Sequence, residues 1–403
     1  MRRLMPAALG LIQAMLPLFP SFIALTSVAF PGVSLLPPAA TYAVLALCIL
    51  LAIYALPMLL RYPLPRSQPL LLPLLAVFGA GLLAGILGFD PRAGLVFTFI
   101  GGLGIVWHCT IMRFYDDRNV AVAIWSAYLI TGAIACIVAI VMVALRVPAS
   151  LYALQHGRAT GTFILPGELA GYLIVLLPVA YAVTAVYRQR WLRAFGWTTL
   201  ALGLIALSLT YSRAGWMGFA AAVAFLVAVR TRYGARAAAL VVAAGIIVVL
   251  LLFNAHHDPS EDYTRLSIWQ AATQIIDRFP LTGVGPFNFS RLYAAVRAPD
   301  ADPTAFHAHS LYLTFFAEFG IVGVASVGWL TWRFASELRR RLARASAPRA
   351  FLALSVAAGL VGVAVQGLID TVSVVIFGLW MPALALALAA AGRDESGGDP
   401  ADG

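Results

Sequence analysis

Residues Ala194–Val229 read AFGWTTLALGLIALSLTYSRAGWMGFAAAVAFLVAV, a stretch of 36 residues in which Arg213 is the only charged side chain. A single helix of this length would measure about 54 Å, whereas the hydrocarbon core of a bilayer is about 30 Å thick. The stretch is therefore predicted to form two membrane spans, and Arg213 falls at the turn between them.

Apolar runs of this kind recur along the whole chain of 403 residues, which is 62% hydrophobic and 11% charged and has a mean hydropathy of +0.91. A soluble domain of this size carries far more polar surface. The predicted fold class is all-α: a polytopic helical membrane protein in which residues 1–392 form a single transmembrane domain of about 12 spans. The approximate limits of these spans are 6–29, 39–60, 69–88, 93–112, 120–145, 163–187, 194–211, 214–229, 237–254, 309–332, 350–369 and 373–391.

The arginines divide unevenly between the two sets of loops that twelve spans create. All 27 basic residues are arginine, of which 19 fall in the set that includes both termini and 8 fall in the other set. The positive-inside rule then predicts that both termini are cytoplasmic, together with a disordered tail at 393–403. Membrane orientation also accounts for the net charge of +10, so no nucleic acid partner is predicted. The outward set contains one long loop, 255–308, between the ninth and tenth spans.

The loop 255–308 contains RLSIWQAATQIIDRF, in which apolar residues recur at helical spacing until Pro280 ends the pattern. This indicates a short helix on the membrane surface, acting either as a lid packed over the bundle or as part of a substrate site. LTGVGPFNF follows, with glycine and proline at turn spacing. The residues predicted to share one face of the helix are Ile268, Trp269, Ala272, Ile275, Ile276 and Phe279.

Candidate metal ligands are few. His307 and His309 are two residues apart, so joint chelation would need an extended backbone, and His256 and His257 could in principle complete a site. Neither cysteine nor an ordered set of carboxylates supports these histidines, so no metal site and no cofactor is predicted. The cysteines lie in or at the end of apolar runs without a CxxC pair, which is typical of small core residues. They are Cys48, Cys109 and Cys136.

Polar groups predicted to face outward come from separate segments. Arg158 precedes a span in QHGRATGTFILPGELAGYL, Arg213 starts another span, and Arg265 opens the surface helix. A lone arginine at such a position often only reaches its charged end to the lipid headgroups. Glu168 is an acid inside its span, and it either has a function or merely pairs with an arginine. Arginines bind phosphate and a histidine can take a proton from a hydroxyl. The combination with His309 therefore suits a reaction in which a hydroxyl displaces a phosphate-type leaving group.

Four segments resemble the O-antigen ligase and O-antigen polymerase superfamily. HAHSLYLTFFAEFGIVG, from His307 to Gly323, resembles its histidine-containing signature, and RLSIWQAATQIIDRFPLTGVGPFNF resembles the segment just upstream. RATGTFILPGELAGYL and LTYSRAGW are similar to two further segments, and the four keep their order. One departure is Ser310, where asparagine is commoner.

The resemblance implies a metal-independent GT-C-type glycosyltransferase of the bacterial inner membrane that acts on the periplasmic side among membrane lipids. Its donor would be a glycan on undecaprenyl diphosphate. A ligase would transfer this glycan to a sugar hydroxyl of lipid A–core, whereas a polymerase would join two carrier-linked repeats; the single large outward loop favours the ligase. The rival from another class is a flippase or transporter of the same lipid-linked sugar, which would need polar groups near mid-membrane.

The resemblance also implies roles for individual residues. His309 would be the general base on the acceptor hydroxyl, while Arg265 and Arg213 would hold the diphosphate and stabilise its leaving charge. Aromatic residues after the histidine pair would line a slot for the polyprenyl chain, although ordinary helix packing explains them equally well. The first histidine of the pair is expected to be structural. The residues predicted to lie at the substrate are Arg158, Tyr312, Trp269 and His307.

Overall fold

The computed structural model describes residues 68–163, 165–230, 233–256, 259–299, 301–303, 305, 307–370 and 377–392. Within these ranges the chain is helical and contains no strand, as predicted. Each predicted span from 69–88 onward coincides with a helix. The spans predicted at 6–29 and 39–60, and the tail 393–403, lie outside the described residues.

The helices are numbered in chain order within the described ranges. Seven of them are long and apolar enough to cross a membrane, namely α3, α5, α6, α7, most of α8, α11 and α12, while α1 and Met381–Ala390 of α13 are shorter apolar helices. The described part of the chain is therefore that of a polytopic helical membrane protein. The helices are α1 (Leu71–Leu87), α2 (Pro91–Phe114), α3 (Arg118–Leu145), α4 (Ala149–Leu154), α5 (Pro166–Val186), α6 (Arg190–Leu209), α7 (Arg213–Arg230), α8 (Gly234–His256), α9 (Pro259–Arg278), α10 (Phe289–Val296), α11 (Leu311–Leu342), α12 (Ala347–Gln366) and α13 (Phe377–Ala390).

Helix α5 lies at the centre of the bundle, where it packs against α6, α7 and α12. It is apolar on all sides and 83% buried, which is the pattern of a helix surrounded by others. Helices α7 and α12 cross closely because Gly218 and Gly362 bring their backbones into contact, and a Cβ at either position would meet the carbonyl oxygen of the other. This crossing lies near the start of α7 and the end of α12, so Arg213 is placed beside the end of α12.

The helix ends alternate between two faces, as the predicted topology requires. Contacts on the first face join the starts of α5 and α11 to the ends of α6 and α12, and this is the face predicted to be outward. On the opposite face, arginines from α11 and from the start of α12 donate to carbonyls near the end of α13. The contacts are Ala159 N–H to Leu209 O at 2.9 Å, Leu311 N–H to Gly367 O at 2.8 Å, Gln366 Nε2 to Gly167 O at 2.7 Å, Arg341 Nη1 to Leu388 O at 3.1 Å and Arg349 Nη1 to Gly392 O at 3.0 Å.

Helix α11 continues past residue 332, where the tenth span was predicted to end, as far as Leu342. Its last turns are polar and carry an ion-pair network in which Glu337 accepts from Arg340 Nε at 2.8 Å and from Arg341 Nε at 2.7 Å. These i,i+3 and i,i+4 pairs support the helix beyond the apolar segment that hydropathy detects.

The described residues of the loop 255–308 are folded around an apolar core. The predicted amphipathic helix is present as α9, and its apolar side lies on protein because α9 packs on α10 and α11. Phe279 was wrongly placed on that face: it follows the last residue of α9 and is 43% exposed. Helix α10 was not predicted because eight residues between turn signals are too few to show a periodicity. The core consists of Ile268, Ala271, Ala272, Ile275, Val284, Phe289, Tyr293, Ala305, Ala308 and Ala317.

Single cysteines in a background without Cys48, Cys109 and Cys136 test the predicted topology. Ala153 and Gln274 are exposed on the face predicted to be outward, and Asn119 and Ser346 are exposed on the opposite face. We expect an impermeant maleimide added to spheroplasts to label cysteine at the first two positions and to spare it at the second two. Equal labelling rates at all four positions would refute the predicted orientation.

Candidate active site

Three predicted arginines meet in one cavity. Arg158, Arg213 and Arg265 come from segments far apart in the sequence, and all three line a cavity of about 800 Å³ on the face predicted to be outward. Trp269 lines the same cavity, whereas His309, His307 and Tyr312 are not among its lining residues. Among the described residues, the lining consists of Val143, Tyr152, His156, Gly157, Arg158, Tyr211, Ser212, Arg213, Ala214, Met217, Val249, Arg265, Leu266, Trp269, Ile369 and Asp370.

Arg158 is held against the end of α6. The backbone before it turns through His156 and Gly157, which have positive φ angles of 51° and 79°. Arg158 Nε then donates to the carbonyl oxygen of Thr210 at 2.9 Å, one residue past the end of α6. The guanidinium thus satisfies a carbonyl at a helix end and still borders the cavity.

Arg213 is the first residue of α7, as the opening stretch predicted. Ser212 precedes it, and the Ser212 hydroxyl accepts a hydrogen bond from Gly215 N–H at 3.0 Å, as an N-cap residue does. The first turn of α7 therefore begins at the cavity wall, with its positive helix-dipole end next to the guanidinium. Both features favour an anion in the cavity.

Arg265 and Trp269 are one turn apart on α9 and line the cavity together. Ile268 and Ala272 occupy adjoining positions of the same helix and are fully buried in the core of the loop. Arg265 and Trp269 therefore lie along one edge of the buried face of α9, where this edge borders the cavity.

Asp370 also lines the cavity, and sequence reasoning missed it. It follows the end of α12, where Gln366 Nε2 donates to Gly167 O at 2.7 Å and so joins α12 to the start of α5. Between Ala350 and Gly392 it is the only charged residue, the same signal that singled out Arg213. The lining residues that the structure describes therefore include one carboxylate and three arginines, which makes this part of the cavity cationic.

The histidine pair forms a tight turn at the start of α11. His309 has a positive φ of 45°, which is uncommon for a residue other than glycine, and its N–H donates to His307 Nδ1 at 3.2 Å. The two rings meet edge to face at 4.5 Å. Burial is the main cause that holds the pKa of His307 well below its usual range, and the nearby His309 adds to this effect. His307 is therefore neutral and can accept this bond.

His309 is placed beside the end of α12. Leu311 N–H, two residues after it, donates to Gly367 O at 2.8 Å, and Gly367 lies two residues before the cavity-lining Ile369. The side chain of His309 is half-buried. His309 therefore stands near the cavity but outside its lining.

The aromatic run after His309 packs within the protein. Phe315 and Phe319 stack with ring centroids 4.3 Å apart, and both are buried. Tyr312 is half-exposed, and its hydroxyl donates to Ala364 O at 2.8 Å. Helix packing, the alternative left open by the sequence, accounts for these positions.

Other candidates fall outside the cavity. Glu168 is buried in the first turn of α5 and is not a lining residue. Cys109 and Cys136 are buried and unbridged, as predicted. Among the described residues no group of three or more His, Cys, Asp or Glu side chains is arranged to hold a metal ion. The side chains of His256 and His257 and the residue Cys48 lie outside the described part.

A segment that we call the strap, residues Pro280–Asn288 (PLTGVGPFN), fixes α9 relative to α11. Helix α11 is broken at Gly320, where φ is 60° and ψ is −167°, and the strap enters this break. The strap replaces the hydrogen bonds that an unbroken helix would make within itself, and backbone at membrane depth needs such replacements. Bonds of 2.9 to 3.2 Å run from Val284 N–H to Ala317 O, Gly285 N–H to Glu318 O, Ile321 N–H to Pro280 O and Val322 N–H to Leu281 O.

Glu318, at the same break, is a second residue that sequence reasoning missed. Its side chain is 2% exposed, and its Oε1 accepts the N–H of Phe289, the first residue of α10, at 3.4 Å. It therefore joins α11 to the helix that follows the strap. An acid within an apolar run signals a functional or structural partner, as was argued for Glu168.

The geometry can be compared with known proteins. A family model described as O-antigen ligase matches residues 198–328. This range contains Arg213, Arg265, both histidines of the pair and the strap, whereas Arg158 precedes it and Asp370 follows it. No curated protein matches the chain. The match over residues 198–328 supports a protein of the O-antigen ligase or polymerase type.

Proposed function

We propose that this protein is an O-antigen ligase of the bacterial inner membrane. It transfers a glycan from undecaprenyl diphosphate to a sugar hydroxyl of lipid A–core on the periplasmic side. The acceptor oxygen forms a bond to the anomeric carbon, the bond from that carbon to the diphosphate breaks, and the diphosphate leaves with the electron pair. His309 accepts the proton of the acceptor hydroxyl.

The observation that carries this proposal is the convergence of Arg158, Arg213 and Arg265 on one cavity. A diphosphate ester gains negative charge as it leaves, and fixed cations beside it stabilise that charge most where water is scarce. Planar guanidinium groups match phosphate oxygens in geometry as well as charge. In this proposal the arginines supply the neutralisation that a divalent metal supplies in other glycosyltransferases, so the reaction is metal-independent.

Trp269 and the apolar part of the lining favour a donor with a lipid tail. Val143, Met217 and Val249 line the cavity from α3, α7 and α8, each within two turns of the end of its helix that lies near the cavity. The cavity thus combines charged groups at the membrane surface with apolar groups below it. This is the distribution that a polyprenyl diphosphate requires, with the diphosphate at the surface and the chain in the membrane.

An O-antigen polymerase is the second candidate, because joining two carrier-linked repeats uses the same donor chemistry. The single long loop 255–308 favours the ligase. A flippase remains the rival from another class, and the gathering of the arginines at one end of the bundle favours an enzyme, since an alternating path needs polar groups at mid-membrane.

The lipopolysaccharide ladder of a deletion strain separates the three functions. Loss of a ligase leaves carrier-linked polymer unattached to core, loss of a polymerase leaves core with a single repeat, and loss of a flippase strands the repeat on the cytoplasmic side. The first outcome is expected, and either of the others overturns the ligase proposal.

Metal independence is a separate prediction. The purified protein is expected to keep its transfer activity in excess EDTA.

Arg265→Ala and Arg213→Ala are expected to weaken both donor binding and turnover. Each removes a charge-assisted hydrogen bond to the diphosphate, typically worth about 1.5–3 kcal/mol, so donor affinity should fall about 10- to 100-fold. The measurement is donor affinity and ligation rate at matched membrane levels. Arg278→Ala is the matched control, because Arg278 is exposed at the other end of the same helix. Equal losses from Arg278→Ala and Arg265→Ala would show that the effect comes from net charge and not from the cavity.

A further inference from the structure

The turn between α1 and α2 binds the strap by hydrogen bonds. Phe89 N–H donates to Val284 O at 3.0 Å, and Asp90 N–H donates to Asn288 Oδ1 at 3.1 Å. Asn288, which is fully buried, donates in return from Nδ2 to Asp90 O at 3.4 Å. The middle residue and the last residue of the strap are thus bonded to one short turn.

An ion pair completes this contact. Arg291, on α10 just after the strap, pairs with Asp90, and their side chains are 29% and 14% exposed. Asp90 also caps α2, since its Oδ1 accepts Arg92 N–H at 2.9 Å. Ion pairs on open surfaces contribute only about 0–1 kcal/mol, but this one is partly buried and acts with the hydrogen bonds to the strap. We call Asp90, Asn288 and Arg291 the outer anchor.

The position of Arg265 depends on what holds α9. The helix is poorly covered at its cavity end, where Tyr263 is 75% exposed and Leu266 is 53% exposed. The opposite end runs directly into the strap. Arg265 lies about 20 Å along the helix from Arg278, so a tilt of about 3° at the strap displaces Arg265 by about 1 Å.

We propose that Asp90 and Arg291 are positioning residues for glycan transfer. They clamp the strap between the α1–α2 turn and the break in α11, and so fix Arg265 on α9 relative to His309 at the start of α11. Neither residue lines the cavity. This inference rests on the proposed function for the roles of Arg265 and His309. The contacts that hold the strap do not depend on that function. A misplacement of about 1 Å in a catalytic group can cost about 10²-fold in rate.

Asp90→Asn and Arg291→Gln remove the ion pair with little change in shape. Asparagine is as good an N-cap residue as aspartate, so the cap of α2 is retained. We expect kcat to fall about tenfold in each variant, while KM for the donor rises less than in Arg265→Ala, since Arg265 is displaced but not removed and Arg158 and Arg213 are not attached to the strap. The double variant should be no slower than either single variant, because the two residues act as one unit. Arg291→Lys, which keeps the charge, should recover most of kcat.

Asp277→Asn and Arg278→Gln are matched controls, because both residues are exposed at the end of α9 and carry the same charges. A second measurement does not depend on activity. Nitroxide labels on cysteines at Gln274 of α9 and Ala325 of α11, both exposed, report the distance across the strap by pulsed electron paramagnetic resonance.

The anchor variants should broaden this distance distribution, and the controls should not. If the distribution and kcat are unchanged in both anchor variants while the wild type transfers glycan, the anchor proposal is wrong and the proposed function stands. If the distribution broadens but the wild type transfers no glycan, the clamp exists and the proposed function is wrong. Additive losses in the double variant would show that Asp90 and Arg291 act separately, which also overturns the proposal.

Discussion

Replacing His309 with alanine is expected to lower the rate of glycan transfer by about 10²–10⁴-fold, because this is the usual contribution of a general base. The acceptor hydroxyl would then lose its proton only to water. Donor affinity should survive, since the arginines and not His309 line the cavity. The measurement is transfer rate and donor affinity, compared at equal concentrations of wild type and variant purified from membranes.

Two further substitutions separate the base from the turn that holds it. His309→Asn keeps a residue type that tolerates the positive φ of 45°, yet removes the base, so it should be as slow as His309→Ala. His307→Asn offers a side-chain oxygen in place of Nδ1, the acceptor of His309 N–H, and should lose far less. Near-normal turnover of either His309 variant, or a dead His307→Asn, would contradict the assignment of the base to His309.

Gly320→Ala is expected to disrupt the active site and lower glycan transfer, although the protein still inserts into the membrane. The φ of 60° with ψ of −167° at Gly320 is a conformation that essentially only glycine adopts. A Cβ there would also meet the carbonyl group of Leu281 and the nitrogen of Gly283, both in the strap. The strap must move, so transfer should fall by about 10²-fold or more.

Gly328→Ala is the matched control for this change. Gly328 lies on the same helix beyond the break, and a Cβ there meets nothing within 4 Å. It should be as abundant and as active as wild type, or slightly more stable, since alanine favours helix over glycine. Full activity of Gly320→Ala would mean that the broken form of α11 is not needed for transfer.

The sequence predicted the features that depend on hydropathy and charge. The two spans in Ala194–Val229 and the turn at Arg213 follow from the thickness of a bilayer and a single charge. The gathering of Arg158, Arg213 and Arg265 was expected because alternating helices bring their loops to one of two faces. The structure adds that these three share a single cavity, which topology alone does not require.

The features that were missed depend on contacts between distant segments. Gly320 lies in an apolar run that is compatible with a straight helix. The break is explained only by the strap, which lies about 30 to 40 residues earlier in the sequence. Asp370 was missed, although it is as isolated among apolar residues as Arg213. Glu318 was missed because the apolar and aromatic residues around it indicate only a membrane span. Local periodicity does not reveal such pairings, because each partner satisfies its own local pattern.

The break in α11 has a consequence for biogenesis. A newly made segment at Leu311–Leu342 enters the bilayer most easily as a continuous helix, because unpaired backbone groups in lipid are costly. The broken helix becomes stable only after residues 280–288 have been translocated and have folded back to bond its unpaired backbone groups. Assembly of the site is therefore a late maturation step that follows insertion. Freshly inserted chains should accordingly pass through a stage with complete topology and no catalytic competence.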